Sequence, residues 1–141
     1  MREFSDDEVK EELKRVDHLI YVTLKYTKTG DVIRNIIKRM ISTLDLAIIE
    51  ALENSKKIKE LPPSPIQKVN ELKKIHKDSD DLISFYLLLK NIIKSEYEVK
   101  EQYRKHMTLI TPYKKVDVET LKEFHQKTIN FVKYLRGEEI D

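Results

Sequence analysis

Apolar positions recur every three to four residues along most of this chain, and that period predicts helices. Val9, Leu13, Val16, Ile20 and Leu24 form one stripe. Ser5 and Glu8 stand ahead of it at capping-box spacing, with Asp6, Asp7 and Glu8 at the positive end of the dipole, so a first helix is expected over residues 5 to about 28. Residues 27–31 break the pattern, with Thr29 placed to cap a second helix and Gly30 relaxing the backbone. Its wide stripe, from Ile33 through Ile36, Ile37, Met40, Ile41, Leu44, Ile48, Ala51 and Leu52, runs to about Ile58. Pro62 and Pro63 stop that helix. Ser64, Pro65 and Gln67 then read as cap, first position and capping-box partner of a short third helix carrying Ile66, Val69, Leu72 and Ile75.

Residues 78–81 form a second cluster of capping side chains, ahead of a run from Leu82 to Ile93 that is apolar nearly all round. This helix is expected to be the most buried. Val99, Tyr103, Met107 and Ile110 keep helical spacing and predict another short helix. A loop follows at residues 111–115, and Asp117 caps a last helix whose face is Val118, Leu121, Phe124, Thr128, Val132 and Leu135, ended by Gly137. The fold expected is all-α: an antiparallel bundle of four main helices and two short ones, with residues 1–141 as a single domain.

Composition narrows the chemistry. Two glycines and four prolines are too few for the many turns of a β protein. The chain has no cysteine, which excludes disulfides, thiolate catalysis and zinc sites with Cys ligands and fits a reducing compartment. No apolar run reaches the ~20 residues of a membrane span, and the N-terminus has no apolar signal core, so a cytoplasmic protein that does not engage a membrane is expected. The four histidines are not at metal-ligand spacing on one helix, and Asp78, Asp80 and Asp81 are explained by capping, so no metal and no cofactor are expected. Ser84, Ser95 and Thr108 have no base near them in sequence, and no catalytic residues are assigned.

The net charge of +2 conceals local excesses. Between residues 25 and 39, Lys25, Lys28, Arg34, Lys38 and Arg39 face the single acid Asp31. On the first helix Lys14, His18, Tyr21 and Lys25 make a polar stripe opposite the apolar one. In residues 97–106 two tyrosines stand with Lys100, Arg104, Lys105 and His106. On a helix Lys100 and Arg104 project together, a weakly repulsive pair that an anion would relieve, while Tyr103 turns partly toward the core. Basic side chains with tyrosines between them suit phosphates and base stacking. The ordinary alternative for each tract is a solvated face, with Glu101 pairing Lys105.

The layout of two long helices, a Pro-containing connection and further helices resembles the HEPN group of helical bundles. Residues 17–29 with 31–37 also resemble small uncharacterised archaeal helical proteins, a likeness that implies no activity. HEPN ribonucleases carry an Arg followed, several residues later on a late helix, by a His. This chain departs from that pattern: Arg104 and His106 are two apart, which on a helix turns them about 200° from each other. Arg15 and His18 are three apart on the first helix. The resemblance therefore implies a binding role toward RNA or a nucleotidyltransferase rather than the ribonuclease site.

Three functions are consistent with these features. The first is a non-enzymatic helical bundle that contacts RNA or a ribonucleoprotein through Lys25, Lys28, Arg34, Lys38, Lys100, Tyr103, Arg104 and His106. The second is a homodimeric interaction module pairing through an apolar strip such as Ile33 with Ile37, or through tyrosines near the loops. The third is an HEPN-like enzyme acting on nucleotides or RNA, with a composite site at Tyr103, Arg104 and His106.

Overall fold

The protein is described from a computed structural model, over residues 7–55 and 60–138. The expected Ser5 cap and the tail past residue 138 lie outside the described residues, and the second helix ends at Glu53, short of the expected end near Ile58. Helix α1, Glu8–His18, starts on Asp7, whose carboxylate accepts from the Lys10 N–H at 3.1 Å. It passes through a π-helical turn, Leu19–Thr23, into a last short turn, α2, Leu24–Tyr26. Val16, Ile20 and Leu24 are all buried at successive spacings of four. In a regular α-helix each such step drifts by about 40°. The wider turn, in which the Leu24 N–H reaches the Leu19 carbonyl, holds both later residues on the core side.

Helix α3, Gly30–Glu53, is capped as its sequence implies, with Thr29 Oγ1 accepting from the Val32 N–H at 3.2 Å. Helix α4, Pro65–Ile75, begins on Ser64, whose hydroxyl accepts from the Gln67 N–H. Helix α5 is Asp80–Lys94 and helix α6 is Val118–Arg136. Asp117 caps α6 by accepting from the Thr120 N–H at 2.8 Å, and Gly137 closes it in the left-handed conformation at φ 70°. Helix α3 packs against α1, α4, α5 and α6 and supplies Ile33, Ile36, Ile37, Met40, Leu44, Ala47, Ile48 and Leu52 to one continuous buried cluster. Each of the large side chains there contributes roughly 1.5–3 kcal/mol by leaving water.

Three expectations are corrected. The central helix is α3, not α5, because α5 leaves Leu87 43% exposed on its outer side while α3 is surrounded. Ile33 and Ile37 are both fully buried, so they offer no dimer strip. At the start of α5, Ser79 is buried and makes no side-chain cap bond; Asp80 and Asp81 stand in the first turn instead.

The largest departure lies in the expected helix over residues 99–110. Those residues form a β-hairpin, β1 Glu98–Lys100 with β2 Thr108–Ile110, extended by β3 Lys115–Val116 into an antiparallel sheet of order β1-β2-β3. Lys115, expected in a loop, starts β3. The pairing Val99↔Leu109↔Val116 turns apolar side chains to the core, and Met107 joins them fully buried. Period-two burial thus takes residues whose spacing also suited a helix. The chain is mostly helical, with this small sheet in place of the second short helix. Among the described residues no helix is long and apolar enough to cross a membrane.

Candidate functional site

The hairpin changes what residues 97–106 present. Their tip, 101–106, is a loop without glycine, and Glu101 and Tyr103 adopt positive φ, 56° and 70°. The loop turns on itself through Arg104 N–H to the Glu101 carbonyl at 3.0 Å and Met107 N–H to the Arg104 carbonyl at 3.1 Å. It also docks on the α2–α3 connection. The Tyr103 N–H donates to the Lys28 carbonyl at 2.7 Å, and Gln102 Oε1 accepts from the Gly30 N–H at 3.0 Å. The second bond satisfies one of the open amides at the start of α3. Gly30 is required by space: a Cβ there would sit 2.4 Å from Val99 Cγ2.

This docking joins the two basic tracts at one end of the molecule. Lys25, Lys100, Arg104, Lys105 and His106 are exposed there, and Lys28 is half-buried. Lys28 Nζ donates to the Lys25 carbonyl at 2.7 Å, folding its ammonium back over α2. Tyr26 and Tyr103 are 79% and 72% exposed, so their ring faces are open to a partner. The Lys25 ammonium lies 5.8 Å from the Tyr26 ring centre. Tyr103 therefore belongs to the surface, not partly to the core, because its positive φ aims it outward. Lys100 ends a strand and Arg104 sits in a loop, so they are not a helical pair. His106 lies near Asp117, whose carboxyl is held below the usual carboxylate range, first by the Thr120 backbone N–H and hydroxyl and to a smaller degree by the His106 charge.

Arg34 and Lys38 do not join this end equally. Arg34 turns inward, donating Nη2 to the Ile93 carbonyl at 3.3 Å and stacking its guanidinium 4.4 Å from the centre of Tyr97. Its Nη1 is buried and has no hydrogen-bond partner. Lys38 is exposed farther along α3, where it lines one cleft with Leu19, Asn35, Arg39 and Ser42 and another with Ile41, Lys90, Ile93 and Lys94. The polar stripe expected on the first helix is also split. Lys14 and His18 face Arg39, whereas Tyr21 turns to α6, with Lys122 Nζ 5.6 Å from its ring and the His125 ring 6.4 Å away. Tyr21 lies within the π-helical turn, past the regular helix that carries Lys14 and His18, and is turned away from them.

His125 is buried, and that burial holds its pKa below the usual imidazole value against the weaker pull of Asp17. Tyr86 donates its hydroxyl to Asp45 and accepts from Lys90 Nζ at 3.3 Å; burial, then Asp45, raise its pKa. Neither group lies at the basic end. Among the described residues no three His, Asp or Glu side chains gather as a bound metal requires. Tyr103, Arg104 and His106 stand exposed on one loop.

Sequence reasoning passed over Glu12. It stands in the apolar stripe of α1, three residues after Val9 and four before Val16, and is buried with them. A carboxylate inside an apolar stripe is a signal readable without a structure. No family model matches this chain, and neither the curated proteins nor the solved structures hold a match to it.

Proposed function

We propose that this chain is a non-enzymatic binding protein that contacts RNA, free or within a ribonucleoprotein, through the end built by the α2–α3 connection and the 101–106 loop. The observation that carries the reading is the docking of that loop: two tracts more than seventy residues apart present Lys25, Lys28, Lys100 and Arg104 beside the exposed rings of Tyr26 and Tyr103. Ammonium and guanidinium groups neutralise backbone phosphates, and open tyrosine faces stack bases without demanding a particular sequence. The same arrangement disfavours hydrolysis of RNA, since an exposed loop excludes no water and holds no acid–base pair in a fixed geometry.

Binding of a single-stranded RNA should weaken steeply with salt, with each phosphate contact adding about 0.7 to the slope of log affinity against log salt. Lys28→Ala and Arg104→Ala should each lower the slope by about one contact and weaken binding alike across RNA sequences. Tyr103→Ala should weaken binding by about 1–3 kcal/mol with the slope unchanged, the mark of a stacking contact. Fluorescence anisotropy over a salt series measures all three. Absence of binding at low salt, or an affinity indifferent to salt, would remove the proposal.

A further inference from the structure

Beyond the basic end, and independent of it, the geometry points to a second anion site: a phosphoryl-binding cleft between α1 and α3, built on Arg15 and Arg39. Glu12 is the foundation. Its side chain is 8% exposed, and its Oε1 accepts from Nη1 of Arg15 and, at 3.4 Å, from Nη1 of Arg39. One buried oxygen therefore brackets two guanidinium groups from different helices. Both arginines remain about half exposed, 55% and 49%. A guanidinium has five N–H donors in a rigid fork, so each keeps most of its donors for the cleft above.

The surroundings fit an oxyanion. On one side of Arg39 lies a cleft of about 410 Å³ that takes in Arg15, Lys14 and His18; on the other lies one of about 370 Å³ with Lys38, Asn35 and Ser42. Leu19 and Arg39 line both, so the two clefts adjoin as halves of one trough that meet at Arg39. Glu11 and Glu12 are the acids of the trough, against Lys14, Arg15, Lys38 and Arg39. Glu11 is drawn off by Lys14 at 3.4 Å. Two guanidinium groups held side by side without a full complement of negative charge favour a ligand with several acceptor oxygens.

Two further observations point the same way. Glu12 Oε2 is buried with no hydrogen-bond partner, so the carboxylate is a poor device for stability alone; an apolar residue would complete the Val9–Val16 stripe at lower cost. The π-helical turn begins at Leu19, the residue shared by both halves of the trough. Such turns displace side chains out of helical register and occur often at functional sites. Here the turn follows directly on Lys14, Arg15 and His18 and keeps Ile20 and Leu24 with the core beyond them.

The ligand chemistry is a phosphoryl group, from a small phosphomonoester or from an RNA backbone. Pyrophosphate, titrated by calorimetry into the full chain at low ionic strength, should bind saturably. Arg39→Lys keeps the charge but loses the fork, and should weaken binding several-fold; Arg15→Ala should weaken it about tenfold or more. Lys38→Ala, which touches no part of the Glu12 bracket, should weaken it about threefold and guards against a folding artefact. Lys28→Ala and Arg104→Ala should leave it unchanged, so this site stands or falls apart from the RNA-binding end. Displacement of pyrophosphate by AMP but not by RNA assigns the site to small phosphomonoesters, and displacement by RNA assigns it to backbone phosphate; both uphold it. No saturable binding, or undiminished affinity in Arg15→Ala and Lys38→Ala, overturns it.

Discussion

Replacing Arg136 by alanine should cost about 2–4 kcal/mol of folding stability, a larger loss than any single substitution on the exposed basic end. Arg136 is the last residue of α6. Its Nε and Nη2 donate to Glu50, and its Nη1 and Nη2 donate to Asp7, all at 2.8 Å. One planar fork thus ties the residue before α1, the last turns of α3 and the end of α6. Its side chain is 16% exposed, and those of Asp7 and Glu50 about 30%. Without the guanidinium two carboxylates face each other half-buried. Full burial would make the loss about 3–5 kcal/mol, and their partial exposure lowers it. At this chain length about 3 kcal/mol moves the melting temperature by roughly 10 °C. Arg136→Lys should recover only a fraction, since an ammonium cannot hold both carboxylates in the fork geometry. Thermal and urea unfolding check this, and a change under about 0.5 kcal/mol would refute the assigned role.

The same fork has a pH signature. Hydrogen bonds from Arg136 lower the Asp7 carboxyl from 3.8 to about 2 in the folded chain. A depressed carboxyl contributes stability that is present above its unfolded pKa and lost as pH falls through the folded one. The Asp7 contribution is therefore whole above about pH 4 and declines toward about pH 2. In Arg136→Ala that part of the acid-side decline should flatten. Should both proteins lose stability in parallel across this window, Asp7 is not held by Arg136.

The second large effect concerns Gly30. Helix propensity alone says that Gly30→Ala, at the start of α3, is neutral or stabilising by up to about 1 kcal/mol. The structure reverses the sign. The new methyl would press on Val99 Cγ2 at 2.4 Å, and the loop whose Gln102 caps the Gly30 amide would have to lift. The expected loss is about 1–3 kcal/mol, the usual range for overpacking. Val99→Ala removes the colliding methyl, so Gly30→Ala should cost much less in that background, and the double-mutant cycle should show a coupling of about 1 kcal/mol or more. Additive effects would mean that the approach of Val99 to Gly30 does not govern the substitution. On the proposed reading, RNA affinity should also fall with Gly30→Ala alone, because lifting the loop separates Arg104 from Lys28.

Which features could be read from the sequence follows from the range of the forces involved. Thr29, Ser64 and Asp117 are readable as helix starts because each cap is made between a side chain and an amide three residues away, and Gly137 as a helix end because glycine adopts the left-handed torsion freely. The apolar stripes of α3 and α6 were readable for a similar reason. The hairpin was not. Val99, Tyr103, Met107 and Ile110 satisfy a helical period, and the turn contains none of the residues that announce a hairpin. What holds it is remote: Lys28 and Gly30 are more than seventy positions away. The candidate site was half legible on the same principle. Its basic residues are visible in the chain, but their meeting at one end depends on the docked loop, and the bracketing of Arg15 and Arg39 depends on α1 lying against α3.

The chain's two glycines stand where they solve different problems. Gly30 makes room for a neighbour, and Gly137 supplies a torsion with nothing near it. Glu101 and Tyr103 need the same kind of torsion as Gly137, yet carry full side chains. An L-residue in that region pays roughly 1–2 kcal/mol that glycine would not. The Tyr103 ring, 72% exposed, returns little of this through burial. A loop composed for ease of folding would place glycine at both positions. The one this chain has keeps a phenol and a carboxylate in solvent against that conformational penalty, and on the binding role proposed above a partner that meets them there would repay it.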